Sequence, residues 1–294
     1  MMLKPIVAGL DGSRESLAAA DWAAREALLR GLPLRLVHAW EGLPDHGEPV
    51  SLPELSAPRH WARRVLRNAM DQLTERYPQV YVSAEQIGRP PIAALLSEAE
   101  DAELLVLGNQ GFGGPSGLLA GSVAMAVAVR VDRPVVLVRA SCTPGDERVS
   151  GAADGLSGDA PYRDVAVAVD LSHEPASLLE FAFEAARCRA AGLRVLYVWH
   201  LSNLRDPSAQ AQREAEWALA ATLDPWRDKF PTVPVQALAV GGRPTHHVLE
   251  LARDADLLVI GRETHHPATA GRLGRVAHAA VHHVRCPVAM IAHG

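Results

Sequence analysis

Two hundred and ninety-four residues, 48% apolar and 21% charged, are long for one domain and sufficient for two of ordinary size. The net charge of −5 comes without a long basic run, which argues against a nucleic-acid partner. Met1 to Leu10 enters a strand pattern with no basic leader, and Val123 to Val129, the longest apolar stretch near a glycine-rich loop, is far too short to cross a bilayer; a cytoplasmic chain without a membrane partner is expected.

In chain order, Pro5 to Leu10 is a buried strand that ends at Asp11-Gly12-Ser13. Ser16 to Arg30 has helical spacing, with Leu17, Ala20, Ala24 and Leu28 on one face, and Gly31 stops it. Leu34 to Trp40 is a second strand. Glu41 to Pro58, with its prolines and glycines, reads as a loop, and Trp61 to Tyr77 resumes helical spacing. Val80 to Ile87 is a third strand and Pro91 to Glu100 a short helix. Leu104 to Leu107 is a fourth strand, and Val135 to Val138 follows an Ala/Val-rich helical segment as a fifth. Strands alternating with helices imply a parallel sheet covered on both faces.

The pattern then repeats. Ile6 to Asp11 (IVAGLD) matches Val165 to Asp170 (VAVAVD), and Asp11 and Trp40 recur at an offset of 159 as Asp170 and Trp199. Gly88-Arg89-Pro90 recurs as Gly242-Arg243-Pro244. Gly108 recurs as Gly261, and Arg133-Pro134 as Cys286-Pro287, both at an offset of 153. Near-constant offsets across five landmarks indicate tandem duplication. Domains at 1–141 and 162–294 are expected, joined by a Gly/Ser/Asp/Pro-rich linker at 142–161.

Between the fourth and fifth strands lies the chemistry. Gly108 and Gly111 are followed, after nine residues, by Gly121-Ser122 at the start of the next helix, giving G-x2-G-x9-G-S. Glycines let backbone N–H groups approach a ligand closely, and a helix N-terminus directs free N–H groups at the same point. The natural occupant is an anion, most simply a phosphate.

This signature resembles the ATP-binding motif of the universal stress protein family, and with the repeat the resemblance spans nearly the whole chain. It implies two α/β domains, each a doubly wound five-stranded parallel sheet of order 3-2-1-4-5, with nucleotide at the carboxyl ends of the strands. It further implies that Asp11 lies near the ribose and phosphates, directly or through a metal ion such as Mg. Backbone groups of Val37, His38 and Ala39 would face the adenine. Gly108 and Gly111 would leave room for ribose and phosphates, and Gly121, Ser122 and Val123 would hold the phosphates. Read without the resemblance, Asp11 is better explained as a turn or N-cap residue that accepts from the N–H groups that follow it.

The second half departs from the signature. Asp170, Gly261 and Gly274 keep their places, but the second glycine is Thr264 and the phosphate-binding serine is Arg275. A β-carbon at Thr264 fills space, while Arg275 could block a phosphate or pair with one, so weakened or lost ATP binding is expected there. Ten of thirteen histidines follow the linker, including the pairs His246-His247, His265-His266 and His282-His283. His278 and His282 have metal-binding spacing, but nothing completes a set, and solvated or capping roles are expected. The cysteines Cys142, Cys188 and Cys286 form no C-x-x-C pair and read as reduced bystanders.

The glycine loop has no lysine between Gly108 and Arg130, unlike phosphate-loop hydrolases. A binding protein that senses or signals nucleotide occupancy is therefore expected. A slow ATPase, a nucleotidyl-transfer enzyme, or a structural dimer with vestigial sites are the alternatives. The fifth strand of each half is an apolar sheet edge, and the resemblance implies that these edges pair as an internal pseudo-dimer; a homodimer of the whole chain is compatible with this.

Overall fold

The computed structural model describes residues 3–40, 53–109, 122–149, 160–199, 209–263 and 273–293. The chain divides into two compact units, Met1–Ala140 and Ser141–Gly294.

In the first unit β1 (Ile6–Gly9), β2 (Leu34–Ala39), β3 (Val82–Ile87), β4 (Leu104–Gly108) and β5 (Val135–Val138) form a parallel sheet in the order β3-β2-β1-β4-β5. Ile6 aligns with Leu34 on one side and Leu104 on the other, and Leu105 aligns with Val135. The helices are α1 (Arg14–Arg30), α2 (Pro53–Arg76), α3 (Pro91–Glu100) and α4 (Ser122–Ala128). The chain winds outward through β2 and β3, then returns past β1 to β4, which places the reversal of strand order between β1 and β4. Ile6, Val7, Leu104, Leu105 and Val106 are fully buried, as central strands covered on both faces must be.

The second unit repeats this winding with β6 (Val165–Val169), α5 (Ala176–Arg189), β7 (Leu193–Trp199), α6 (Ala209–Lys229), β8 (Val235–Gly241), α7 (Pro244–Leu251), β9 (Leu257–Glu263), α8 (Arg275–His283) and β10 (Val288–His293). Its parallel sheet runs β8-β7-β6-β9-β10. Both units thus have the 3-2-1-4-5 order that the resemblance implied.

Two details differ from expectation. The stretch expected as loop to Pro58 is helical from Pro53 onward. Proline at a first helical position lacks an N–H that the helix would not use, so it marks a start there rather than a break. On α1 the buried face is Ala19, Ala20, Ala23, Ala24 and Ala27, while Leu17 and Leu28 are 41% and 44% exposed. The alanine face lets the helix lie closer to the sheet than leucines would allow.

The repeat extends to a helix terminus. Gly31 caps α1 in the left-handed conformation at φ 64°, its N–H directed at the carbonyls of Ala27 and Leu28. Ala190, at the offset of 159, caps α5 at φ 49°, its N–H directed at the carbonyls of Ala186 and Arg187. In the second unit the start of the helix has shifted instead: α5 begins after Pro175, whose ring disfavours helical geometry at the preceding residue. The ends of the expected linker fold onto the second unit. Arg148 bridges Tyr162, the Val149 N–H donates to Pro161 (3.0 Å), and the Arg163 N–H donates to Glu147 (2.9 Å). Beside them Arg189 and Asp256 form a buried ion pair.

Candidate functional site

In the first unit β1 ends at a tight turn. The Asp11 carboxylate accepts from the Ser13 N–H (2.9 Å) and hydroxyl (2.5 Å), and the Ser13 hydroxyl oxygen in turn accepts from Ser16 N–H (3.1 Å), capping α1. Ser13 is therefore the helix cap and Asp11 the turn residue that orients it. Burial raises the Asp11 pKa, but the Ser13 and Ser16 hydrogen bonds outweigh this and hold it below the ordinary carboxylate value. The result is an exposed, ionised carboxylate at the carboxyl end of the sheet.

Val37 aligns with Gly9 and accepts from the Leu10 N–H (2.8 Å), so its carbonyl is committed within the sheet. The buried His38 donates from Nδ1 to the Leu10 carbonyl (2.7 Å), which fixes the tautomer because a carbonyl can only accept. Ala39 aligns with Ile87 at the end of β3. A residue that the sequence reading did not single out also lies here. The indole of Trp61, on α2, sits edge-on to His38 with ring centroids 5.8 Å apart, and a β-carbon at Gly12 would lie 2.8 Å from two of its ring atoms. Gly12 has φ +82°, a geometry that favours glycine in its own right. No spacing rule links an aromatic early in the second helix to a glycine before the first, so pattern reading had no signal for this pair.

Gly108 ends β4, and a β-carbon there would lie 2.6 Å from Glu15 C and Ser16 N. Close packing of the α1 N-terminus against β4 therefore demands glycine at this position, whether or not a ligand is bound. The Asn109 N–H donates to Val138 (2.7 Å). Gly111 and Gly121 lie outside the described residues. Ser122 is the first residue of α4 and Val123 the second.

In the second unit the Asp170 carboxylate accepts from the Ser172 N–H (2.9 Å) and hydroxyl (2.7 Å), repeating the Asp11 turn. Leu171 stands where Gly12 does. The carboxyl ends of β6, β7 and β9 open onto a cavity of about 1400 Å³, whose lining includes Asp170, Val198, Arg243, Gly261, Gly274 and Arg275. Gly274 caps α8 at φ −61° without a side-chain bond, and a β-carbon there would meet nothing within 4 Å. At Gly261 a β-carbon would lie 2.5 Å from Nε2 of His293. His293 also neighbours His173 (ring centroids 5.9 Å apart), and His173 reaches Glu263 at 3.7 Å. Burial, followed by the charge of His173, lowers the His293 pKa. Thr264, His265 and His266 lie outside the described residues. His278 and His282 are ring to ring at 4.3 Å, and no group of three metal-binding side chains occurs among the described residues. Burial pushes the Cys286 thiol up to about 12, well away from reactivity.

A doubly wound sheet in each unit, with an aspartate turn and a helix N-terminus at the carboxyl ends, is an open α/β architecture, in which the crevice at the reversal of strand order is the general place for a ligand. The family model for the Universal stress protein family matches residues 2–139 and 161–292, and the chain belongs to that family. Universal stress protein Rv2005c of Mycobacterium tuberculosis is 29% identical over 299 residues, covering 96% of this chain and 95% of that protein. A universal stress protein of Mycolicibacterium smegmatis is 28% identical over 300 residues, covering 97% and 96%. Among solved structures, a universal stress protein from Archaeoglobus fulgidus covers 100% of both chains with a TM-score of 0.67 and 16% identity, a likeness of fold. Among the described residues no helix is long and apolar enough to cross a membrane.

Proposed function

We propose that this universal stress protein binds an adenine nucleotide, ATP, in its first unit and acts in a stress response through the occupancy of that site. The observation that carries this reading is the placement of the G-x2-G-x9-G-S signature. It leaves β4 at Gly108 and enters α4 at Ser122, and β4 pairs with β1, the strand that leads into the Asp11 turn. In this reading Ser122, Val123 and the flanking Gly121 hold the phosphates, and Gly111 gives the loop its close approach. The backbone at Val37, His38 and Ala39 borders the adenine.

An ionised Asp11 fits a role toward Mg²⁺, which binds through one or two carboxylates plus substrate phosphates rather than an all-protein cage. The ion would neutralise phosphate charge. The chain's own contribution is to keep Asp11 deprotonated and fixed by Ser13.

With no lysine in the loop, binding through backbone dipoles is favoured over hydrolysis. Gln110, between Gly108 and Gly111, is the loop side chain through which an ATPase alternative would orient water. In the second unit Asp170, Gly261 and Gly274 persist around the cavity, while Arg275 replaces the serine and the His293 ring stands beside Gly261. Weaker binding than in the first unit follows. We also propose that β5 and β10, each the last strand of its own sheet, the first apolar throughout and the second apolar from Val288 to Ala292, pair as an internal pseudo-dimer.

The test is calorimetric titration of ATP with Mg²⁺ into the intact chain and into Ser122→Ala and Arg275→Ala. One strong site per chain, weakened about tenfold or more by Ser122→Ala and untouched by Arg275→Ala, is expected. A strong site lost only with Arg275→Ala places the function in the second unit. No heat, with unchanged melting, leaves a structural dimer as the better account.

A further inference from the structure

We propose that Trp61 is the base-stacking, specificity-determining residue of the first unit's site, an assignment that rests on the nucleotide reading. The indole belongs to α2, yet it reaches over the turn that follows β1 and meets the edge of His38 at the end of β2. It is 42% exposed, unlike Trp22, which is fully buried. A large aromatic left part-exposed at the carboxyl ends of two strands offers a flat apolar face where a ligand would arrive.

The sheet order fixes which part of a nucleotide would meet that face. The signature helix α4 follows β4, and β4 lies on one side of β1 while β2 lies on the other. With adjacent strands about 4.8 Å apart, the distance from β4 to β2 is roughly 10 Å. A nucleotide with its phosphates at Ser122 and its ribose near Asp11 spans that distance, so its base arrives at the β2 side, where Trp61 and His38 stand. Stacking on an indole tolerates any purine, because each has a π-face, and gives little to a ligand without a base.

The two units differ at this point in a way that supports the assignment. Gly12 leaves the space that Trp61 fills, whereas its repeat position is Leu171, whose side chain carries the β-carbon that Gly12 lacks. Thus the unit that keeps the full glycine signature is also the unit whose aspartate turn admits a tryptophan.

The experiment is titration of the intact chain, Trp61→Phe and Trp61→Ala with Mg-ATP and, separately, with inorganic tripolyphosphate, while tryptophan emission is followed. Expected are an affinity for ATP about tenfold or more weaker in Trp61→Ala, a change of less than about threefold in Trp61→Phe, and unaltered tripolyphosphate binding in both. The ATP-induced change in emission should be largely lost in Trp61→Phe, because the ring that meets the base is gone, although the other five tryptophans still emit. Equal ATP affinity in the parent and Trp61→Ala overturns the stacking assignment and leaves the nucleotide reading standing. Equal weakening for ATP and tripolyphosphate also overturns it, since a structural prop would affect both ligands alike. If the parent chain does not bind ATP at all, the nucleotide reading falls and the assignment falls with it.

Discussion

Gly108 and Gly274 look alike as signature glycines, but their surroundings separate them. A methyl group at Gly108 would press on the backbone of Glu15 and Ser16 at 2.6 Å, and backbone cannot swing aside as a side-chain tip can. Gly108→Ala is expected to lower stability by about 3 kcal/mol, the upper range for overpacking. Gly274 has φ −61° and open space around it. Alanine gains roughly 0.4–1 kcal/mol there by restricting the unfolded chain and loses a similar amount as a poorer N-cap, so Gly274→Ala should stay within about 0.5 kcal/mol of the parent. Urea denaturation of both variants at neutral pH measures the contrast; similar midpoints would mean that α1 yields at Gly108. The glycine pattern was legible in the sequence, but the reason for Gly108 was not. Spacing marks a residue that must be small without saying which neighbour requires it. Asp11 shows the same limit: both the turn role and the ligand role fit its position, and only the Ser13 bonds show that the turn role is met.

At the scale of elements the duplicated pattern carried further, because strands buried on both faces are continuous apolar runs that resist misreading. The α1 face was misplaced by about one position, since leucines outweigh alanines in any periodicity argument although alanines make the closer contact with the sheet. One repeat position carries a cost. Ala190 caps α5 in the left-handed conformation that Gly31 adopts at the end of α1, and this conformation disfavours an L-residue with a β-carbon by about 1–2 kcal/mol. Glycine removes that strain but adds entropy to the unfolded chain, which offsets roughly 0.5–1 kcal/mol of the gain. Ala190→Gly is therefore expected to stabilise the second unit by about 0.5–1 kcal/mol, read as a shift in urea midpoint with unchanged slope. Gly31→Ala is the mirror experiment and should destabilise by a similar amount. Should Ala190→Gly instead destabilise, unfolded-state entropy outweighs the strain at this cap.

For the whole molecule, the proposed pairing of β5 with β10 has a consequence at individual amides. The carbonyls of Pro134 and Val138 accept from Leu105 and Asn109 of β4 and the residue after it, and the carbonyl of Pro287 accepts from Leu258 of β9. Because the two backbone groups of one strand residue point the same way, and alternate residues point opposite ways, Val136 and Ala289 face their own sheets. The N–H groups of Val135 and Leu137, and those of Val288 and Met290, consequently point outward from their units. If the edges pair, these four amides belong to the most protected class in native-state hydrogen exchange, opening only with much of the fold. An unpaired edge instead leaves them in contact with water while Val136 and Ala289 stay protected, giving fast and slow amides in alternation along each strand. Two chains pairing through the same edges would also protect them, but protection would then fall on dilution, so exchange measured at two protein concentrations separates an internal pair from a dimer. Concentration-independent protection of all four is the expected result, and alternation along β5 and β10 would refute the pairing.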